Sequence, residues 1–188
     1  MLKLSEIFIY PIKSLGGISL QTSEVEKRGL KYDRRYLLVD ENGMFMTQRD
    51  FSQMALLKLS FAENGFNILD IKNSNKTIIP FESTSKEIIK VNIWEDVCNA
   101  VVVDKDLDVW FSTVLNKKCS LVYMPDDEKR IVEKKYIDEE HLVSFADAYP
   151  FLIIGQASLD DLNSKLTSPI PMNRFRTNFV FTGGNPFE

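Results

Sequence analysis

Short apolar segments separated by polar turns recur along the first half of the chain. Residues 2–10 alternate apolar and polar positions, and further apolar segments lie at 36–39, 44–47, 56–61 and 66–71. Period-two alternation is typical of half-buried β-strands. The pairs Asn42-Gly43 and Asn64-Gly65 separate four of these segments, and Asn-Gly tolerates the positive φ that tight hairpins need. The first half is therefore predicted to be antiparallel β.

The second half mixes strands with short helices. Further strands are predicted at residues 88–94, 100–103, 121–124, 151–154 and 174–182. Helical spacing of apolar residues occurs at positions 107, 110, 111, 114 and 115. Ser158 to Asp161 resembles a capping box and predicts a short helix to residue 166, whereas the charge-rich residues 125–141 predict a solvated loop. The fold class that follows is mainly β (α+β).

Composition and charge exclude several classes of protein. The chain has 188 residues, 44% of them apolar and 27% charged, which is ordinary for a soluble globular protein. Its net charge of −4 argues against the basic face of a duplex-binding protein and the basic groove of a single-strand-binding barrel. No segment approaches the roughly 20 apolar residues of a membrane span, and the N-terminus lacks a signal-peptide pattern. We expect a cytoplasmic protein that binds neither nucleic acid nor membrane.

The cysteines and histidine do not predict a metal site. Cys98 and Cys119 do not form a Cys-x-x-Cys pair, and His141 is the only histidine, so Cys and His alone cannot build a zinc site. Free cysteine is usually a small buried hydrophobe, and we assign no metal ligand. Trp94 and Trp110 are interpreted as core residues, and His141 as solvated.

Two cationic clusters near opposite ends of the acidic chain predict an anion site. They are Tyr-Pro-Ile-Lys-Ser at residues 10–14 and Arg-Phe-Arg-Thr-Asn at residues 174–178. Partly desolvated cations need a partner, and arginine offers a planar fork that suits phosphate or carboxylate. A site made from both clusters would be assembled by folding.

Each candidate residue also has a simpler explanation. Lys13, taken without any family resemblance, is better explained as an ordinary solvated lysine than as an anion contact. Arg34 and Arg35 could flank a strand to discourage edge pairing, and Arg35 is interpreted as structural. Asp147 either caps local backbone N–H groups or orients a cationic or cofactor group.

Four segments carry a family resemblance: YPIKSLGGISL at 10–20, RGLKYDRRYLLVDENGMFMTQRD at 28–50, VSFADAYPFLIIGQASLDDLN at 143–163 and RFRTNFVFTGGNPFE at 174–188. Together they resemble the MOSC proteins, named after the molybdenum cofactor sulfurase C-terminal domain, with their N-terminal β-barrel domain. The segments occur in family order and cover essentially the whole chain. The resemblance implies an antiparallel β-barrel N-terminal domain over residues 1–123. The first part of a MOSC β-barrel domain, with short helices, would follow over residues 124–188.

The same resemblance implies a function. Amidoxime-reducing components of mitochondria and their bacterial relatives are oxidoreductases that bind the molybdenum cofactor (molybdopterin). They reduce N-hydroxylated compounds by two-electron removal of oxygen, with electrons from a reductase or other donor. The cofactor-binding residues carried over are Lys13, Ser14, Arg34, Arg176 and Asn178. Asp147 is a sixth candidate.

The chain departs from the family pattern in two places. Ala148 and Tyr149 follow Asp147, whereas mitochondrial members carry small hydroxyl residues at these positions. The hydrogen bonds that such hydroxyls would make to the cofactor are therefore not expected in this chain. Family members also continue past the Gly-Gly-x-Pro-Phe-Glu turn to a molybdenum-binding cysteine that these 188 residues do not reach. We therefore expect the chain alone to be inactive. The alternative is a non-catalytic β-barrel module in which Lys13, Arg34 and Arg176 hold an anionic small molecule or an acidic partner segment.

Overall fold

β-Strands make up most of the regular structure in the computed structural model, which describes residues 1–83, 85–135 and 138–188. The described strands are β1 Lys3–Ile9, β2 Ile18–Leu20, β3 Val25–Glu26, β4 Gly29–Leu30, β5 Tyr36–Asp40, β6 Leu57–Ala62, β7 Gly65–Asp70, β8 Lys76–Pro80, β9 Ile88–Ile93, β10 Asp96–Val102, β11 Cys119–Tyr123, β12 Ile153–Gly155 and β13 Phe179–Thr182. The helices are α1 Lys105–Leu115 and α2 Gln156–Ser164, with 3-10 turns at Ser52–Leu56 and Met172–Arg174. The predicted mainly β, α+β class is confirmed. Neither helix of the described part of the chain is long and apolar enough to cross a membrane.

The two ends of the chain share one sheet, with strand order β12-β13-β1-β2. Strand β1 pairs antiparallel with β13, and Ile7 lies opposite Phe179. In an antiparallel pair the end of one strand lies beside the start of its partner. The residues that follow β1 therefore lie next to the residues that precede β13. The two cationic clusters occupy these positions, so they meet at one edge of the sheet.

A second sheet has the order β5-β11-β10-β9, and its strands β5 and β11 are buried on both faces. Tyr36 and Leu38 of β5 belong to one hydrophobic cluster, which also contains Phe111 of α1. Leu37 and Val39 alternate with them and belong to a second cluster on the other side of the strand. This alternation is the period-two geometry of a strand. Residues 31–35 lead directly into β5, and the segment after Tyr123 leaves β11, so both segments are attached to this well-packed part of the sheet.

The predicted hairpin at Asn64-Gly65 is confirmed, whereas residues 44–47 meet β5 only through an isolated antiparallel bridge between Val39 and Phe45 and form no named strand. Strands β6, β7 and β8 form a three-stranded meander with continuous antiparallel pairing. The Asp40 to Met44 turn contains Gly43 at a φ of 74°, a conformation that glycine adopts without steric cost. A Cβ at this position would lie 2.7 Å from the Lys90 carbonyl oxygen. Glycine is therefore required both by its φ and by the close approach of β9.

A strand start and a capping box predicted from the sequence differ from the structure. The strand predicted from residue 174 begins at Phe179, because a 3-10 turn and the positive φ of Arg176 interrupt extended backbone before it. The predicted capping box is wrong, since α2 begins at Gln156 without a side-chain cap. Ser158 instead accepts a hydrogen bond from the Phe187 N–H at 2.8 Å. The predicted loop 125–141 carries no helix or named strand in its described residues, and residues 136 and 137 lie outside them.

The division at residue 123 stays a prediction. Strands β1 and β2 from the first predicted domain and β12 and β13 from the second form a single sheet.

Cys98 and Cys119 are both free and buried, and burial raises the pKa of each thiol to about 11. Trp110 packs partly buried against the first cluster.

Substitution Phe111→Ala is expected to lower the free energy of unfolding by about 3–5 kcal/mol, because the ring is fully buried and its removal leaves a cavity. Val109→Ala on the same helix is the matched control, since Val109 is 66% exposed. Urea unfolding followed by circular dichroism measures both. Equal midpoints for the two variants would contradict the assigned core.

Candidate anion-binding site

A cavity of about 530 Å³ lies where the two cationic clusters meet. All six candidate residues from the sequence line it: Lys13, Ser14, Arg34, Asp147, Arg176 and Asn178. The β1–β13 pairing brings the first and last clusters together. A backbone hydrogen bond of 2.9 Å from Phe145 to the carbonyl of Arg34 places the 145–147 segment beside them.

Three of these residues have strained backbone conformations. Ser14, Arg34 and Arg176 have φ values of 66°, 50° and 57°. Residues other than glycine rarely adopt this left-handed backbone region. Such conformations persist only where surrounding contacts hold them, and they cluster at binding and catalytic sites. The backbone therefore presents these residues to the cavity at a cost in local stability.

The buried carboxylate of Asp33 organises the cationic residues. Asp33 is 2% exposed and accepts hydrogen bonds from the Tyr10 N–H at 2.7 Å, from Arg34 Nη1 at 2.5 Å and from Asn178 Nδ2 at 3.1 Å. Burial raises the pKa of this carboxyl, and the charge of Arg34 opposes the rise. Asp33 was not among the site residues predicted from the sequence. The sequence feature that could have indicated it is an acidic residue next to two arginines, Arg34 and Arg35, directly before an apolar segment.

Asn178 positions Arg34 through a fully used amide. Its Nδ2 donates to Asp33 and to a β1 carbonyl, while its Oδ1 accepts from Arg34 Nη1 at 3.1 Å and from the Leu152 N–H at 3.2 Å. Arg34 Nη2 donates to the Arg176 carbonyl at 2.8 Å. With both amide protons engaged, Asn178 orients the guanidinium of Arg34 and has no donor left for a ligand.

Arg176 is a partly buried cation with an unused donor. Its Nη1 donates to the Leu15 carbonyl at 2.5 Å, but its buried Nη2 has no hydrogen-bond partner in the described part of the chain. Both Arg176 and Arg34 lie on the Tyr10 ring, at 4.3 and 4.4 Å from its centroid. Burial and then the charge of Arg34 lower the pKa of Arg176 to about 10. An anion near Nη2 would accept its unpaired hydrogen bond and would offset the repulsion between the guanidinium groups of Arg176 and Arg34.

Lys13 is a second desolvated cation. Its Nζ donates to Asp147 Oδ1 at 2.5 Å and to the Phe145 carbonyl at 3.0 Å. Burial lowers the pKa of Lys13 to about 8; Asp147 acts to raise it, and Arg130 and Arg34 lower it further. Because an ammonium group has three donors, one remains for a ligand.

Residues 1–118 match the model of the MOSC N-terminal beta barrel domain, and residues 140–188 match that of the MOSC domain. The chain belongs to the MOSC family. The family resemblance drawn from the sequence is thereby confirmed.

Two kinds of curated protein are similar to this MOSC chain. Mitochondrial amidoxime reducing component 2 of Bos taurus is 28% identical over 98% of the chain and 57% of its own length. Molybdenum cofactor sulfurase 2 of Culex quinquefasciatus is 29% identical over 99% of the chain and 26% of its own length. The chain thus spans a little over half of the first protein and about a quarter of the second.

Trp94 contacts Asp147 beside the cavity, and its interpretation as a core residue is wrong. The side chain is 46% exposed, and its Nε1 donates to Asp147 Oδ1 at 2.9 Å. Asp147 therefore accepts hydrogen bonds from two side chains that are distant in sequence, Lys13 and Trp94. Partial burial acts to raise the pKa of Asp147, but Lys13, Trp94 and Arg49 together lower it.

Substitution Asp33→Ala is expected to lower the free energy of unfolding by about 3–5 kcal/mol, because it leaves the guanidinium of Arg34 without its buried counter-charge. Asp126→Ala is the control, since its carboxylate is 87% exposed where it pairs with Arg35, and its loss should cost about 1 kcal/mol or less. Urea unfolding compares the two. A loss of similar size in both would contradict the organising role of Asp33.

Proposed function

We propose that this cavity binds the anionic, phosphate-bearing pterin of the molybdenum cofactor. The observation that carries the proposal is the buried, unpaired Nη2 of Arg176. A buried donor without an acceptor is unfavourable, and a phosphate oxygen is the acceptor that a guanidinium binds best.

The charges around the cavity fit such a ligand. Lys13, Arg34 and Arg176 bring three cations, while Asp33 and Asp147 supply two carboxylates. Arg49 and Arg174 are exposed on the same cavity wall. The balance is therefore positive in a protein whose net charge is −4. The cavity volume of about 530 Å³ also lies within the usual range for small-molecule sites.

The residues divide into ligands and supports. Lys13 and Arg176 each retain a donor and would neutralise and orient the phosphate or the pterin. Arg34 adds positive charge, and Asp33 and Asn178 hold its guanidinium in place. Ser14 lies on the wall, where its carbonyl accepts from Gln48 Nε2 at 2.6 Å. When bound, the cofactor would supply two-electron removal of oxygen from the substrate.

We further propose that the protein to which this chain belongs reduces N-hydroxylated compounds, with electrons from a reductase or other donor. The names of the amidoxime reducing relatives support this activity. The sulfurase relatives support the link to the molybdenum cofactor. A non-catalytic anion-binding module is the alternative, because the same three cations would hold another phosphate.

Substitution Arg176→Ala is expected to lower the molybdenum and pterin that copurify with the protein by about 10-fold or more, since a charged hydrogen bond contributes roughly 1.5–3 kcal/mol. Lys118→Ala is the control, because that side chain is 81% exposed and lies outside the cavity. Metal analysis and pterin fluorescence of the native protein measure both. Equal contents in the two variants would refute the proposal, and a phosphorylated ligand without pterin would establish the alternative.

Phosphate affinity is expected to fall as the pH rises through about 8. Lys13 attracts an anion only in its protonated form, and it loses that charge above its lowered pKa. Calorimetric titration with inorganic phosphate between pH 6.5 and 9.5 measures the change. Lys13→Met keeps an unbranched side chain and should remove this step. An identical pH profile in the parent protein and the variant would exclude Lys13 from the site.

A further inference from the structure

Trp94 occupies a backbone position that its side chain does not favour. Ile93 of β9 pairs with Asp96 of β10, so Trp94 and Glu95 form a two-residue turn. The φ of Trp94 is 53°. Asparagine, aspartate and glycine are the residues that tight hairpin turns normally place in this conformation. Turn chemistry alone therefore does not account for a tryptophan here.

The indole makes specific contacts across the edge of the cavity. Its Nε1 donates to Asp147 Oδ1 at 2.9 Å. The Phe45 ring lies 4.9 Å from the indole, and the Arg49 guanidinium lies 5.0 Å from it. Asp147 and Arg49 both line the cavity. The turn thus reaches residues of the anion site and keeps the indole oriented between them.

Trp94 and Lys13 bind the same carboxylate oxygen. Lys13 Nζ lies 2.5 Å from Asp147 Oδ1, the atom that also accepts from the indole. The Asp147 side chain is 70% exposed, whereas that of Lys13 is 8% exposed. An exposed carboxylate loses rotamer freedom when it pairs with a cation, which weakens the pair. A second donor that holds the same oxygen reduces this loss.

The charge of Lys13 depends on that carboxylate. Arg130 and Arg34 also act on Lys13, and both oppose its protonation. Arg130 is itself directed to Asp96 and to backbone carbonyls, and Arg34 to Asp33. Asp147 is therefore the group that favours the ammonium form against burial and two neighbouring cations.

We propose that Trp94 is a positioning residue of the anion site, and that its indole N–H holds the Asp147 carboxylate on Lys13 so that the lysine stays charged and oriented. The assignment rests on the proposed function in that it treats Lys13 as a ligand of the anion. The interaction itself can be measured without any cofactor.

The test is the pH dependence of Lys13 acetylation, followed by mass spectrometry of the peptide that contains it. Only the neutral amine reacts, so the midpoint reports the protonation of Lys13. Trp94→Phe retains a ring beside Phe45 and Arg49 but removes the N–H. We expect its midpoint to fall by about 0.5–1 pH unit, the size of one hydrogen bond. Trp110→Phe is the matched control and should leave the midpoint unchanged.

Two further variants separate positioning from packing. Asp147→Asn should lower the midpoint at least as much as Trp94→Phe. Trp94→Asn replaces the indole with a residue that tolerates positive φ, so thermal stability should be retained or increased while the Lys13 midpoint still falls. A parent-like midpoint in Trp94→Phe or Trp94→Asn would overturn the proposal. If the midpoint shifts while Arg176→Ala retains its cofactor, the role of Trp94 stands and the proposed function fails.

Discussion

The buried carboxylate of Asp33 is the contact on which the site depends. It receives the Tyr10 N–H at the end of β1, the guanidinium of Arg34 and the amide of Asn178 immediately before β13. A buried charge is stable only when such partners surround it. The antiparallel pairing of β1 and β13 brings the chain ends together, and Asp33 converts that pairing into a fixed arrangement of cations around the cavity.

The site combines groups that are costly to the folded protein. Burial lowers the pKa of Lys13 and of Arg176, one arginine donor has no partner in the described residues, and Ser14 and Arg34 have positive φ. Well-packed frameworks carry such costs at functional sites, where strain and desolvation prepare a surface for its ligand. Here the frame is the pair of buried strands β5 and β11, together with the sheet that joins the chain ends.

Local patterns predicted much of the fold but failed where distant contacts decide. The hairpin at Asn64-Gly65 and α1 were predicted correctly, because apolar periodicity and Asn-Gly turns are properties of neighbouring residues. Residues 174–178 were predicted as strand from their alternation, yet Arg176 turns to meet Leu15 and Tyr10. Trp94 was predicted as core from its type, although its partner is Asp147, far along the chain. Periodicity contains no information about either contact.

The amino-acid sequence by itself determined the β-rich class, the family and the residue types of the candidate site, because apolar alternation, turn residues and motif order are written along the chain. Only the tertiary structure decided which of those residues share a cavity and what each contributes there. Asp33 and Asn178 became supports and Arg176 a cation with a spare donor through contacts between segments separated by more than 100 positions. The physical reason is that desolvation and hydrogen-bond pairing depend on surroundings that the chain creates only by folding.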